Sequence, residues 1–173
     1  NGYVWYVDPI DGTSNFSRGS SYFCISIGLA YVDELLAAAV YSPVTEELYT
    51  AAKGKGAFLN GKKIAVSSNG EAAKAMVCFD MCHEESKRMQ ILNVMESLVA
   101  AKSLRLAGSG ALALCEIAAG RFDAYVNVCG GSWDFAAAAL IIREAGGVAT
   151  ALDGSDWAPT AKKGIVAANK TLH

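Results

Sequence analysis

Two carboxylates stand three residues apart in Asp8-Pro9-Ile10-Asp11-Gly12-Thr13-Ser14-Asn15-Phe16, directly after the apolar run Tyr3-Val4-Trp5-Tyr6-Val7. Acidic oxygens hold hard divalent cations such as Mg2+, and backbone N–H groups at a helix start receive a phosphate. The string offers both. Gly12 lets the backbone come close to a ligand, and the Thr13 hydroxyl could orient a water. Pro9 fixes its own φ and pushes Asp8 toward an extended conformation. The chain is therefore expected to leave its strand abruptly, with Asp8, the Ile10 carbonyl and Asp11 facing one spot. The bland alternative is that Asp11 and Thr13 cap a turn or a helix. The whole string after an apolar strand favours the ligand reading.

A third carboxylate, Asp134, lies in Ser132-Trp133-Asp134-Phe135 at the head of an Ala-rich stretch that ends in Gly146-Gly147. An Asp at a helix start is often a cap, and a Trp there is often a packing residue. The preceding Cys129-Gly130-Gly131 loop gives the segment freedom to approach a ligand. Asp8, Asp11 and Asp134 could hold two metal ions through a shared carboxylate, and two ions about 3.5–4 Å apart clamp the attacking and leaving oxygens of an in-line displacement. Gly108-Ser109-Gly110 lies between a strand and a helix. Its N–H groups could face a hydroxylated substrate or a phosphate, or Ser109 could cap an ordinary turn; both readings stand. No Gly-x-Ser-x-Gly, P-loop or Rossmann fingerprint is present, so acyl transfer and nucleotide-driven phosphoryl transfer lose support.

These residues need elements to hold them. Residues 3–8 read as the first strand, 23–32 and 35–41 as two more joined by a turn at Asp33-Glu34, and 47–52 as a fourth. Residues 56–59 and 64–66 read as a hairpin around Asn60-Gly61, a strong type I′ signal. Beyond residue 80 the period changes. Helices are predicted over 86–101, 109–119 and 134–145, strands over 103–107, 123–128, 148–151 and 164–168, and a helix beginning near Asn169. The loop 153–163 reads as the least structured stretch. Residues 1–80 thus form a metal-site turn with an antiparallel meander, residues 81–173 an α/β part, and the whole one α/β domain of helices covering sheets.

The 173 residues are enough for one core, and 53% are apolar, against disorder. The net charge of −2 gives no nucleic-acid footprint; Lys53-Gly54-Lys55 and Lys62-Lys63 read as turn or surface residues. No stretch approaches the roughly 18 apolar residues of a membrane span, and no signal peptide is read ahead of the first motif. The five cysteines are odd in number and scattered, so reduced thiols in a cytoplasmic protein are expected. Cys78, Cys82 and His83 lack the second ligand pair of a zinc site.

Trp5-(x)2-Asp8-Pro9-Ile10-Asp11-Gly12-Thr13-(x)-Asn15-Phe16 resembles the first signature of the inositol monophosphatase family. Trp133-Asp134-(x)2-Ala137-(x)2-Leu140-Ile141-(x)2-Glu144-Ala145-Gly146-Gly147 resembles its second. Gly54-Lys55-Gly56-Ala57-Phe58-(x)-Asn60-Gly61, Gly108-Ser109-Gly110 and Asp123-Ala124-Tyr125 look familial too. The resemblance implies a layered αβαβα sandwich of the sugar-phosphatase type, with N-terminal helices and strands missing from this chain. It implies a Mg2+-dependent, lithium-sensitive phosphomonoesterase, commonly a homodimer, with two or three Mg2+ ions that Mn2+ could replace. By motif match, Asp8, the Ile10 carbonyl, Asp11 and Asp134 would ligate metal. Gly12 and Thr13 would bind phosphate, Thr13 holding the nucleophilic water, and Gly108, Ser109, Gly110 and Asn127 would bind substrate. An upstream Glu that completes the metal site, and an upstream Asp that pairs with the threonine, are implied ahead of residue 1. Inositol-specific members place a Glu where Asn127 stands here, so a broader substrate range is expected, with Asn127→Glu moving preference toward inositol phosphate. The expected substrate is a small phosphorylated polyol or sugar, inositol monophosphate first, with neither nucleic acid nor membrane as partner. The rivals are a sister specificity for fructose 1,6-bisphosphate, a bisphosphate nucleotide or histidinol phosphate, and an inactive fragment or binding module.

Overall fold

The computed structural model describes residues 2–82, 84–160 and 164–173. His83, one of the rejected zinc candidates, and residues 161–163 of the loop lie outside them.

Two sheets enclose a pair of helices. The first is an antiparallel meander in sequence order: β1 (Tyr3–Asp11), β2 (Cys24–Tyr31), β3 (Glu34–Ser42), β4 (Glu47–Ala52), β5 (Gly56–Leu59) and β6 (Lys62–Lys63). The second joins β7 (Met76–Phe79), β8 (Ser103–Leu106), β9 (Ala124–Asn127), β10 (Val148–Thr150) and β11 (Ile165–Ala168), with β7 parallel to both β8 and β9. Helices α3 (Gly110–Ala118) and α4 (Ser132–Glu144) lie between the sheets, and their Ala- and Leu-rich sides form one core with Tyr49 from the first sheet and Tyr125 and Ile165 from the second. Helix α2 (Glu85–Ser97) covers the far face of the second sheet, Ile91 packing with Phe79 and Val126. The order sheet, helices, sheet, helix is the expected sandwich without a helical layer outside the first sheet.

Small residues make this layering tight. A Cβ on Gly28, in the middle of β2, would stand 2.9 Å from the Ala137 nitrogen of α4. The Ala-rich face of the helix therefore rests almost directly on the strand.

Several expectations change. β1 does not stop at Asp8 but runs to Asp11, and its register against β2 slips by one residue, Asp8 facing Ser26 and Asp11 facing Cys24. Strand β7 has no counterpart in the sequence reading, since four apolar residues give no period of their own. The Asn60-Gly61 turn has both φ values positive (48° and 76°), as type I′ requires. Its return arm is Lys62–Lys63, which read as turn, while Ile64 and Val66 leave the sheet to pack on the core. No helix follows Asn169; its side-chain oxygen accepts from the Thr171 and Leu172 N–H groups and closes a turn. The loop from 153 is anchored where it is described. Trp157 is buried, and Arg143 donates to its carbonyl. Cys82 and Cys129 are joined by a disulfide, against the expected reduced thiols, while Cys24, Cys78 and Cys115 stay free and buried. Adjacent parallel strands explain the pairing: β7 and β9 release their next residues side by side, which brings Cys82 within reach of Cys129 at a Cα separation of 5.9 Å.

Candidate active site

The slip in β1 decides how the first motif works. Along a regular strand, residues three apart point to opposite faces. One extra residue between Asp8 and Asp11 rephases the alternation, so Asp8 and Asp11 reach the same side. Asp8 accepts the Ile10 N–H at 3.0 Å, which fixes the bulge from within. The Thr13 hydroxyl donates to the Ile10 carbonyl at 2.9 Å. Gly12 (φ 92°) then turns the chain into the five-residue helix α1 (Thr13–Ser17). A Cβ at Gly12 would sit 3.0 Å from the Ser109 Cβ and 3.1 Å from the Tyr22 carbonyl oxygen, so both the conformation and the space require glycine.

Asp134 comes from the other end of the chain. It is the third residue of α4, and its Oδ2 accepts the Gly131 N–H at 2.5 Å. The capping and ligand readings of this residue are thus compatible: one oxygen closes the helix start, and a carboxylate oxygen still meets those of Asp8 and Asp11. All three residues offer oxygens within 4.8 Å of one another.

Asp11 is the buried member of the three. Its Oδ2 accepts the Ser109 hydroxyl at 2.5 Å and the Ala111 N–H at 2.9 Å. The carboxylate of β1 therefore caps α3 across 100 residues of sequence, and the positive end of the helix supports its charge. No hydrogen bond from a described residue occupies its Oδ1. Burial nevertheless pushes the Asp11 carboxyl up to about 7, with the charges of Asp134 and Asp8 adding to the shift and the Ser109 and Ala111 hydrogen bonds opposing it. Burial likewise pushes Asp134 up to about 6, against the Gly131 N–H and with the Asp8 charge. A bound cation would relieve the cost of ionising Asp11 and Asp134 beside one another.

A cavity of about 470 Å³ opens over this cluster, and Asp8, Ile10, Asp11, Gly12, Thr13 and Asp134 are among its lining. Gly108, Gly110 and Asn127 line its wall. Ser109 does not: it is buried, and its hydroxyl faces Asp11. The Asn127 amide accepts the Cys129 N–H at 2.8 Å and donates to the Tyr125 hydroxyl at 2.9 Å. A larger cavity of about 590 Å³ lies beside Tyr31, Lys53, Arg143 and Trp157, away from the carboxylate cluster.

Asp80 escaped the sequence reading, and Asn15 stood in the first motif without an assigned role. Asp80 lines the cavity at the end of β7, and its signal was an acid directly after a short apolar run. Asn15 donates to the Tyr22 carbonyl at 2.7 Å and the Ala107 carbonyl at 2.9 Å, tying α1 to the turn before α3.

The inositol monophosphatase family model matches residues 1–173. The chain belongs to the inositol monophosphatase family. It is 41% identical over 173 residues to inositol monophosphatase 2 of Solanum lycopersicum, covering 98% of this chain and 65% of that protein. It is 36% identical to a fructose-1,6-bisphosphatase/inositol-1-monophosphatase of Aquifex aeolicus, covering 99% of this chain and 64% of the relative. The fold matches the crystal structure of the extragenic suppressor protein suhB from Bartonella henselae with a TM-score of 0.92 at 33% identity, over 99% of this chain and 66% of that one. The inositol monophosphatase match spans both carboxylate motifs, while the chain covers about 65% of the length of the curated tomato relative. No helix among the described residues is long and apolar enough to cross a membrane.

Proposed function

We propose that the protein is a Mg2+-dependent phosphomonoesterase acting on a small phosphorylated polyol or sugar, with inositol monophosphate as leading substrate. The observation that carries this is the Asp8–Asp11–Asp134 cluster lining a substrate-sized cavity, in a chain of this family. The donor set fits a hard cation: all three groups are carboxylates, and one oxygen of Asp11 is free of hydrogen bonds from described residues. Asp8, Asp11, Asp134 and the Ile10 carbonyl would hold the metal. Bound there, Mg2+ would activate a water and offset charge on the transferring phosphoryl group.

The chain's own residues divide the remaining work. Asp11 is held in place by Ser109 and the start of α3. The N–H groups of Gly12 and Thr13, at the head of α1, face the phosphate. The Thr13 hydroxyl, donated to the Ile10 carbonyl, shares its oxygen with a water beside the phosphorus. Gly108, Gly110 and Asn127 border the leaving group. The same reading includes replacement of Mg2+ by Mn2+, inhibition by lithium and a homodimer, each supported by family membership alone.

Phosphate release from inositol 1-phosphate, with Mg2+ and with excess EDTA, tests the reading in a family-length protein carrying this sequence. Metal-dependent release is the expected outcome. No release from any phosphomonoester in the presence of Mg2+ would leave a binding module as the better reading.

A further inference from the structure

One carboxylate in the cavity has no part in the chemistry above. Asp80 directly follows β7 and is 8% exposed. Its Oδ1 accepts the Gly108 N–H, and its Oδ2 accepts the Tyr125 hydroxyl at 2.8 Å. Tyr125 is in turn held by the Asn127 amide, and Asn127 by the Cys129 N–H. Burial pushes the Asp80 carboxyl up, while the Gly108, Tyr125 and Ala107 hydrogen bonds pull it back toward the charged form. A carboxylate has about four acceptor directions, so at least one remains after these contacts. The network also fixes the plane of the group.

Two further observations say what that acceptor meets. Asp80 stands outside the set of three residues whose oxygens lie within 4.8 Å of one another. Among the described residues lining the cavity there is no Lys, Arg or His. The cavity wall also carries the apolar side chains of Met81, Leu106 and Trp133, and the last two are more than half exposed.

We propose that Asp80 is the specificity-determining residue of this cavity, accepting a hydrogen bond from a hydroxyl of the leaving group and repelling a second anionic group on it. The proposal rests on the phosphomonoesterase reading and narrows it to monophosphates of neutral, hydroxylated molecules. A hydroxyl donated to a carboxylate makes a charge-assisted bond. A second phosphate in the same place meets a like charge in a medium less screening than water, and the wall offers no cation to offset it. A site built to bond a hydroxyl also discriminates strongly against analogues without one. Discrimination against bisphosphates then comes from this chain's own wall, although one relative is named for both activities.

Asp80→Asn keeps the shape and removes the charge. Inositol 1-phosphate and fructose 1,6-bisphosphate are compared, each relative to 4-nitrophenyl phosphate, whose leaving group carries no further hydroxyl or anion. The expected result is a KM about tenfold higher for inositol 1-phosphate and about tenfold lower for the bisphosphate, a split that uniform loss of structure cannot produce. Leu106→Lys, at an exposed position, adds a cation to the same wall without disturbing the Asp80 network. It is expected to improve bisphosphate binding in the parent background, and it keeps the test open if Asp80→Asn does not fold. Isothermal titration of the same two ligands reads the discrimination without turnover. A parent that binds but hydrolyses neither would therefore sink the phosphomonoesterase reading while still judging Asp80. Equal changes for all substrates, or an unchanged preference between mono- and bisphosphate in both variants, would overturn the proposal.

Discussion

At the scale of single residues, Asp11 is tightly constrained. It is buried, caps a helix it does not belong to, and shares its surroundings with two other carboxylates. Asp11→Asn should cost more activity than the roughly 10–100-fold expected for an outer-shell partner, read as kcat with saturating Mg2+. Ser109→Ala removes such a partner and should fall within that range, mainly as weaker metal binding, visible as a higher Mg2+ concentration for half-maximal rate. The pH dependence has a definite sign. With the Asp11 carboxyl at about 7 and Asp134 at about 6, against an ordinary 3.8, the metal-free native state holds more protons than the unfolded chain between about pH 4 and 7. Metal-free stability therefore falls as pH rises through that window, by up to about 1.4 kcal/mol per pH unit per group. In thermal melts with EDTA, Asp11→Asn should gain on the parent progressively from pH 5 to pH 7.5. A constant difference would mean that Asp11 is not held in this way.

At the scale of elements, the site depends on where β1 slips and on where α4 rests. Gly28→Ala brings a methyl group against the Ala137 backbone. Overpacking of this kind costs about 1–3 kcal/mol, and here it pushes the helix that carries Asp134. Both melting temperature and kcat should fall, and a variant that lost stability alone would show that α4 tolerates the shift. The disulfide is a second lever. It links residues 47 apart in sequence, for which chain entropy predicts stabilisation of about 4 kcal/mol at most. Denatured, unreduced protein should titrate three thiols, rising to five on reduction, and the reduced form should melt lower.

The meander and the inner helices were legible in the sequence because alternation, the Asn60-Gly61 turn and the Ala-rich runs are local signals. The three clustered carboxylates were legible because their neighbours are distinctive. Other features depend on what the chain meets far away. β7 is too short to show a period, and its strand character comes from lying between β8 and β9. The Cys82–Cys129 pairing follows from that adjacency. Ser109 reads as pocket-lining from its position in the chain, but Asp11 draws its hydroxyl inward. Asp80 follows only a four-residue apolar run, too short to single it out, and the fold brings it to the cavity.

At the scale of the whole molecule, one side is uncovered. β1 is an edge strand, with Tyr3 69%, Trp5 64% and Val7 49% exposed, and Tyr31 and Val32 stand beside it. A run this apolar suits a strand buried on both faces, and in this chain it is exposed. Open apolar edges template association. The 173-residue chain alone should therefore sediment as concentration-dependent oligomers, and Trp5→Lys should reduce them. A longer form that covers the strand should be monodisperse or a defined dimer. The same geometry gives the carboxylate cluster a mechanical meaning. Asp8 and Asp11 belong to the edge of one sheet, Asp134 to an inner helix, and Asp11 also grips a second inner helix. A cation bound between them would act as a removable rivet through the layers. Draining it should let the sheet edge and the helix starts fray together, so amide exchange at residues 8–13, 110–112 and 132–135 should accelerate as one unit.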